Sequence, residues 1–323
     1  MGTRRNILLH NAARDAFVDG VLALKAEATG LSTGDISQIL HEPGMPSQPL
    51  STWDLFVLWH AMAMNERQAG GRNAAHSGPA FLPWHRWYLL LLEFQFQRVL
   101  GDPSFGLPYW DWATDGQLPP SLQSSTPLWT AAWIGGNGTG AGRFVITGPF
   151  RQSNGFTVRI EGDSLGGIWA AQRPLRRDLA QGVGTLPDKA DVAAAMAQGA
   201  YDASPFNQGS ETGVRNRLEG WRPSFSAPNT HNRVHVWVGG DMGPATSPND
   251  PAFFLNHCNV DRLWASWQNA NGVDNYQPTT GPATQLLHHR RNDPIFSVLT
   301  QFAPTNAQML DVSPFYDYDT LTP

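Results

Sequence analysis

Apolar residues in FLPWHRWYLLLLEFQFQRVL, which runs to about residue 100, fall on most sides of a helical wheel. That distribution predicts a helix buried around most of its circumference, with Pro83 in its first turn. Upstream, Ser51, Thr52 and Asp54 form a helix-start signal before the run STWDLFVLWHAMAMNE. A further helix over about 12–29 puts Phe17, Val21, Leu22, Leu24 and Ala28 at helical spacing, and Gly30 stops it. Toward the C-terminus, HNRVHVWV ends at Gly239-Gly240, and Pro248-Asn249-Asp250-Pro251 opens another helix extending to residue 271. Shorter helices are predicted over 189–200 and 211–220.

Between these elements the period is weak. Residues 3–9 read as a short strand, 31–51 as a loop and 107–113 as an aromatic turn. Residues 115–170 are rich in Gly, Pro, Ser and Trp, with faint alternation in RFVITGPF and FTVRIEG that predicts short strands. Trp129, Trp133, Phe144, Phe150 and Phe156 in that stretch require burial, so it belongs inside the fold rather than in a linker. The last residues, DVSPFYDYDTLTP, are too few for a domain. Residues 1–323 are therefore expected to form a single domain, mainly α, with long loops and a few short strands.

Composition narrows the function. A formal net charge of -5 and a pI near 6.0 supply no basic field, which argues against nucleic acid as a partner. No apolar run is long enough to span a bilayer. Arg4-Arg5 precede a segment interrupted by His10, Asn11, Arg14 and Asp15, so no export signal is read there; the expectation is a cytoplasmic protein, or one carried out by another protein. The single cysteine, Cys258, rules out an intramolecular disulfide framework and any thiolate cluster. It follows His257 directly, and adjacent helical residues point about 100° apart, so a packed apolar role is expected for it. A metal site in this chain must use histidine or carboxylate.

Six of the ten histidines fall into two triples. His231 and His235 are four apart and would project from one face of a helix, while His257 sits about two turns into the next. Two packed helices could bring these rings to one point. The earlier triple is His60, His76 and His85, the last on the buried helix, where an unligated imidazole is costly. Neither segment carries the Glu-x-x-His pattern of di-iron bundles, and hydrolytic two-metal sites bridge their ions with carboxylates. Six neutral imidazoles favour a redox-cycling copper pair, three histidines to each ion with one side open. Such a pair can take up O2 and remove two electrons from an aromatic alcohol, as in catechol to o-quinone.

The segments HSGPAFLPWHRWYLLLLE, LPYWDW, LEGWR, HNRVHVWVGG and SPNDPAFFLNHCNVDRLW resemble the bacterial tyrosinases of the type 3 copper family, those of actinobacteria above all. The resemblance covers about residues 4–319. It implies four helices around a dinuclear copper centre, with His60, His76 and His85 on one ion and His231, His235 and His257 on the other. It implies O2 and a small phenol as substrates, and a small copper-loading helper protein as partner. Asn232 and Glu219 match the pair that holds a water in members active on monophenols. A phenol with a pKa near ~10 must lose its proton before binding copper, and a carboxylate-polarised water can take it. Glu219 could instead cap a helix or pair with Arg217 or Arg222. Val236 would flank the substrate opening or simply pack its helix. Asp261 could hydrogen-bond a ligand imidazole, or pair with Arg262 or a neighbouring helix.

Some positions depart from the family. RPSFSAP lengthens the connection between Glu219 and His231 by about four residues, Asn256 stands where many relatives have a histidine, Pro244 lies in the loop at the pocket mouth, and Ser77-Gly78 replaces an Arg-Ser pair. These keep open an o-diphenol or o-aminophenol oxidase that does not hydroxylate monophenols. A reversible oxygen carrier would need a covering domain for which 323 residues leave little room. A structural zinc module prefers four closed ligands, often cysteine. His10, His41, His288 and His289 fit no triple and are expected on the surface or in loops.

Overall fold

The computed structural model describes residues 1–40, 47–163, 166–221, 228–298 and 303–323. Ten helices lie within them: α1 (Asn11–Ala26), α2 (Thr52–Asn65), α3 (Phe81–Leu100), α4 (Trp112–Asp115), α5 (Pro120–Gln123), α6 (Lys189–Met196), α7 (Val214–Glu219), α8 (Thr230–Val238), α9 (Ala252–Asn271) and α10 (Ala283–Leu286). Six short strands pair two by two. β1 (Gly2–Arg4) is parallel to β6 (Tyr316–Tyr318), and β2 (Ala28–Ser32) is antiparallel to β3 (Pro49–Ser51). β4 (Val158–Gly162) is antiparallel to β5 (Ile168–Arg173). The fold is mainly α, as the hydrophobic periodicity predicts.

The four helices that matter for the site are α2, α3, α8 and α9. α2 starts on a capping box, in which the Ser51 hydroxyl accepts from the Asp54 amide while Asp54 accepts from the Ser51 amide at 2.9 Å. α3 ends at Gly101 with φ 64°, a left-handed turn that glycine adopts without strain. α9 is enclosed on all sides along its first fourteen residues, which explains why its apolar pattern covers the whole circumference rather than a stripe. α3 and α8 both pack on α9, and α2 meets α3 through Trp59 against Trp84 and through the Tyr88 hydroxyl, which donates to the Phe56 carbonyl at 2.8 Å.

Charged groups tie the chain ends to this bundle. Arg4 on β1 donates to Glu93 of α3 at 2.8 Å and to Asp261 of α9 at 3.1 Å, and Arg86 of α3 donates to Asp261 at 2.6 Å. The Tyr316 and Tyr318 hydroxyls donate to the same carboxylate. Four donors, three of them buried and Tyr318 half-buried, thus converge on Asp261 and fasten β1, β6 and α3 to α9. Arg177 grips Asp250 at 2.6 and 2.8 Å just ahead of α9, and Lys25 of α1 pairs with Asp54 at the start of α2. Buried pairs of this kind add little net stability over an apolar replacement, but removing one partner strands a charge.

Several expectations need adjusting. The first helix ends at Ala26 and not near 29, because the chain turns into β2, whose residues are largely exposed and show no alternation to betray a strand. β5 was equally silent in the sequence. FTVRIEG does contain β4, but RFVITGPF makes only isolated bridges, through Phe144 to Thr139 and Arg176. The predicted helices over 189–200 and 211–220 are shorter, ending at Met196 and beginning at Val214. Trp129, Phe150 and Phe156 are buried and Trp133 and Phe144 half-buried, so this stretch does pack inside. No helix among the described residues is long and apolar enough to cross a membrane.

Candidate metal centre

Each histidine triple closes into a cluster. His60 comes from α2, His76 from the loop before α3, and His85 from the second turn of α3, with one nitrogen of each within 4.8 Å of the others. His231 and His235 project from one face of α8 and meet His257 of α9 within the same limit. The two clusters adjoin: the rings of His85 and His257 stack with centroids 4.1 Å apart, and those of His76 and His231 lie 6.2 Å apart.

The hydrogen bonds fix what these rings offer. Nδ1 of His60 donates to the Ala245 carbonyl at 2.6 Å, Nδ1 of His85 to Phe81 at 2.8 Å and Nδ1 of His235 to Met242 at 2.7 Å. The Nε2 of each therefore carries a lone pair, and each of these Nε2 atoms is buried with no partner. Nδ1 of His231 faces two acceptors, the Glu219 carbonyl at 3.2 Å and Asn232 Oδ1 at 3.0 Å, so its proton is there. Its bare Nε2 points at Nε2 of His257, 3.0 Å away. Facing lone pairs at that distance need a proton or a cation. Burial holds all six rings neutral, lowering His60 to about 3 and His235 to about 4, and His76, His85, His231 and His257 well below their ordinary value. A buried set of six neutral imidazoles, four of them oriented by carbonyls behind them, fits a pair of copper ions.

A cavity of about 380 Å³ opens over the clusters. His60, His76, His231 and His235 form its floor, while Val236, Pro228 and Pro244 contribute apolar walls. Val236 is 36 % exposed at the mouth. Beside it lies a more polar cavity of about 340 Å³, which His76, Asn232, Met64 and Gly243 share and which Ser77, Gln208 and Glu219 complete.

Glu219 closes α7 and is fully buried, so pairing at the surface with Arg217 is not its role; Arg222 lies outside the described residues. Its Oε1 accepts from the Ser77 amide at 2.5 Å and its Oε2 from Arg215 at 2.9 Å. Burial pushes its carboxyl up, with Arg215 opposing. Asn232 accepts at Oδ1 from His231 Nδ1, while its Nδ2 is buried without a partner.

Asp261 makes no hydrogen bond to any histidine, contrary to the first of the roles considered for it. Spacing of four along α9 does not bring it to the His257 ring, because its carboxylate turns to Arg4, Arg86, Tyr316 and Tyr318. The expected pairing with a neighbouring helix is the one found. Cys258 is buried, and burial pushes its thiol well above its ordinary value. Asn256 is buried beside His257, and RPSFSAP falls on 222–228, of which only Pro228 is described. His10 is partly exposed against Asp319 and His288 sits in a turn, but His289, although in a turn, is fully buried. His41 lies outside the described residues.

Residues 50–270 match the model of the common central domain of tyrosinase. The chain belongs to the tyrosinase family. It is 42% identical over 232 residues to a tyrosinase of Streptomyces antibioticus, covering 71% of this chain and 77% of that one. Against a Streptomyces glaucescens tyrosinase the identity is 39% over 272 residues, or 83% and 89% of the two chains. Among solved structures, a polyphenol oxidase (mutant G292N) from Thermothelomyces thermophila superposes with a TM-score of 0.69 at 23% identity, covering 99% of this chain and 89% of that one. That last likeness speaks for the fold.

Proposed function

We propose that this tyrosinase-family member is a two-copper phenol oxidase, working as one domain, that uses O2 to hydroxylate monophenols at the ortho position and to oxidise o-diphenols to o-quinones. The observation that carries this reading is the pair of all-histidine clusters, each bringing one nitrogen of three rings within 4.8 Å of one another, beneath a cavity with room for an aromatic ring and its substituents. His60, His76 and His85 hold one copper, and His231, His235 and His257 the other. When bound, the copper pair supplies the site that takes O2 and accepts two electrons from the substrate.

The chain's own residues do the rest. Carbonyls of Ala245, Phe81 and Met242 orient three rings and keep their tautomers, so the donor nitrogens are set before metal arrives. Val236 and Pro244 admit a flat ring from the open side. A monophenol must give up its proton, and we assign that to a water held between the partnerless Nδ2 of Asn232 and the Glu219 carboxylate, which line the same polar cavity. Burial raises the Glu219 carboxyl toward the working pH, which makes it a better proton acceptor. Arg215 and the Ser77 amide hold it in place.

The same two bonds favour a second reading. With Oε1 and Oε2 both engaged, Glu219 has less capacity to accept a proton, and an enzyme restricted to o-diphenols or o-aminophenols would result. Oxygen uptake by the copper-loaded protein on a monophenol and on its matching o-diphenol separates the two. Uptake on both, with Glu219→Gln losing only the first, supports hydroxylation; uptake on the o-diphenol alone supports the second reading, and none on either contradicts both. A small helper protein that loads copper is part of the proposal, supported by ligands that lie at the floor of a cavity; the protein works in the cytoplasm or is exported with that helper.

A further inference from the structure

Five of the six histidines stand on helices, and His76 alone stands on a loop. The loop from Asn73 to Ala80 has no regular structure, and Ser77 within it takes a φ of 58°. Its polar groups are satisfied partly within the loop and partly from elsewhere. The Tyr201 hydroxyl donates to the Pro79 carbonyl at 2.5 Å, Gln208 donates to the Ser77 hydroxyl at 2.9 Å, and Asn73 Oδ1 accepts from the amides of Ala75 and His76. One side chain reaches both feet. His289 donates from Nε2 to the Asn73 carbonyl at 3.1 Å and accepts at Nδ1 from the Ala80 amide at 3.1 Å.

A single neutral tautomer makes both bonds, and no other ordinary side chain of that size offers a donor and an acceptor on opposite edges of a rigid ring. The ring is fully buried, and its own carbonyl accepts from the Tyr276 hydroxyl at 2.9 Å, which fixes the backbone behind it. The fit leaves no slack: a Cβ on Gly78, at the top of the loop, would lie 2.6 Å from His289 Cε1. His289 also stands outside residues 50–270, the part matched by the family model, yet it braces a loop that lies within that part.

We infer that His289 is a positioning residue for His76: by tying both feet of the loop it sets where that imidazole is held, and so the affinity of the copper bound by His60, His76 and His85. The inference rests on the ligand assignment above. It separates the two halves of the centre, since His289 makes no bond to the helices that carry His231, His235 and His257, and the loop reaches that half only through the Ser77 amide on Glu219, whose carbonyl accepts from His231. Loss of such a brace behind a ligand weakens metal binding by about 10- to 100-fold.

The test is a titration of Cu(I) into the apoprotein against a chromophoric Cu(I) chelator, with wild type, His289→Phe, His76→Ala and the double variant, each checked by thermal melting. Wild type is expected to bind two coppers, and His289→Phe to keep one at wild-type affinity and bind the other at least about tenfold more weakly. His76→Ala is expected to bind one tightly, and adding His289→Phe to it should change nothing further. Equal weakening of both coppers, no weakening of either, or a further loss in the double variant overturns the inference and leaves His289 a structural residue only. A His76→Ala protein that still binds two coppers would show that the ligand assignment is wrong, and the inference falls with it. If His289→Phe does not fold, His289→Asn, which keeps an acceptor for Ala80 but cannot reach Asn73, should weaken the same one copper, and unchanged binding there is equally fatal.

Discussion

The two halves of the copper centre are built by different means. His231 and His235 are held by a single turn of α8, and His257 by the enclosed helix α9, so regular backbone places that half, with the carbonyls of Glu219 and Met242 orienting the first two rings. The other half gathers His60 from α2, His85 from α3 and His76 from a loop whose shape depends on Tyr201, Gln208, Glu219 and His289, residues far away in sequence. A helix supplies its own hydrogen bonds, whereas a loop must borrow them. The first half should therefore tolerate changes at a distance, and the second should not.

The largest effects come from the ligands and erase the difference. His85→Ala or His257→Ala should each leave one copper per chain by metal analysis and abolish oxygen uptake on any phenol, since both ions are needed for the two-electron step. Next in size is Asp261→Asn, which leaves Arg4 and Arg86 without their shared carboxylate beneath the helices that carry His85 and His257. Denaturant unfolding of the apoprotein should show a loss of about 3–5 kcal/mol, the range for breaking a buried ion pair from one side.

That variant also has a pH signature. Burial alone would raise the Asp261 carboxyl, but Arg86 and Arg4, helped by the two tyrosine hydroxyls, hold it below its ordinary value. A depressed carboxyl contributes stability above its unfolded pKa of about 3.9 and loses it as pH falls through the lower folded value. Wild-type stability should thus fall more steeply below about pH 4 than that of Asp261→Asn; parallel curves would contradict the pairing.

Gly78→Ala sharpens the comparison from within the loop. The added Cβ meets His289 and, 2.7 Å away, Arg72, and should cost about 1–3 kcal/mol while weakening only the copper at His76. The smallest effect is at the mouth. Val236→Phe should raise KM for substituted phenols by about fivefold, roughly 1 kcal/mol, with copper binding unchanged.

What could be read from sequence follows the same division. The i, i+4 pair on α8, the capping signal of α2 and the apolar wheel of α3 are local, and each located its histidine. For Asp261 spacing left two roles open, a bond to a ligand imidazole or a pair with a neighbouring helix, and could not choose between them because its partners lie up to 257 residues away. His289 gave no signal, since its work is to bond backbone groups 209 and 216 residues upstream. β2 and β5 were hidden for a simpler reason: their pairing partners, and not their own alternation, make them strands.

The most direct check is a crystal structure of the copper-loaded protein with data collected at the copper edge. Two anomalous peaks are predicted, one bounded by His60, His76 and His85 and the other by His231, His235 and His257, with the side facing the cavity free of protein ligands. A single peak, or a peak ligated by Glu219, Cys258 or any other side chain, would contradict the account.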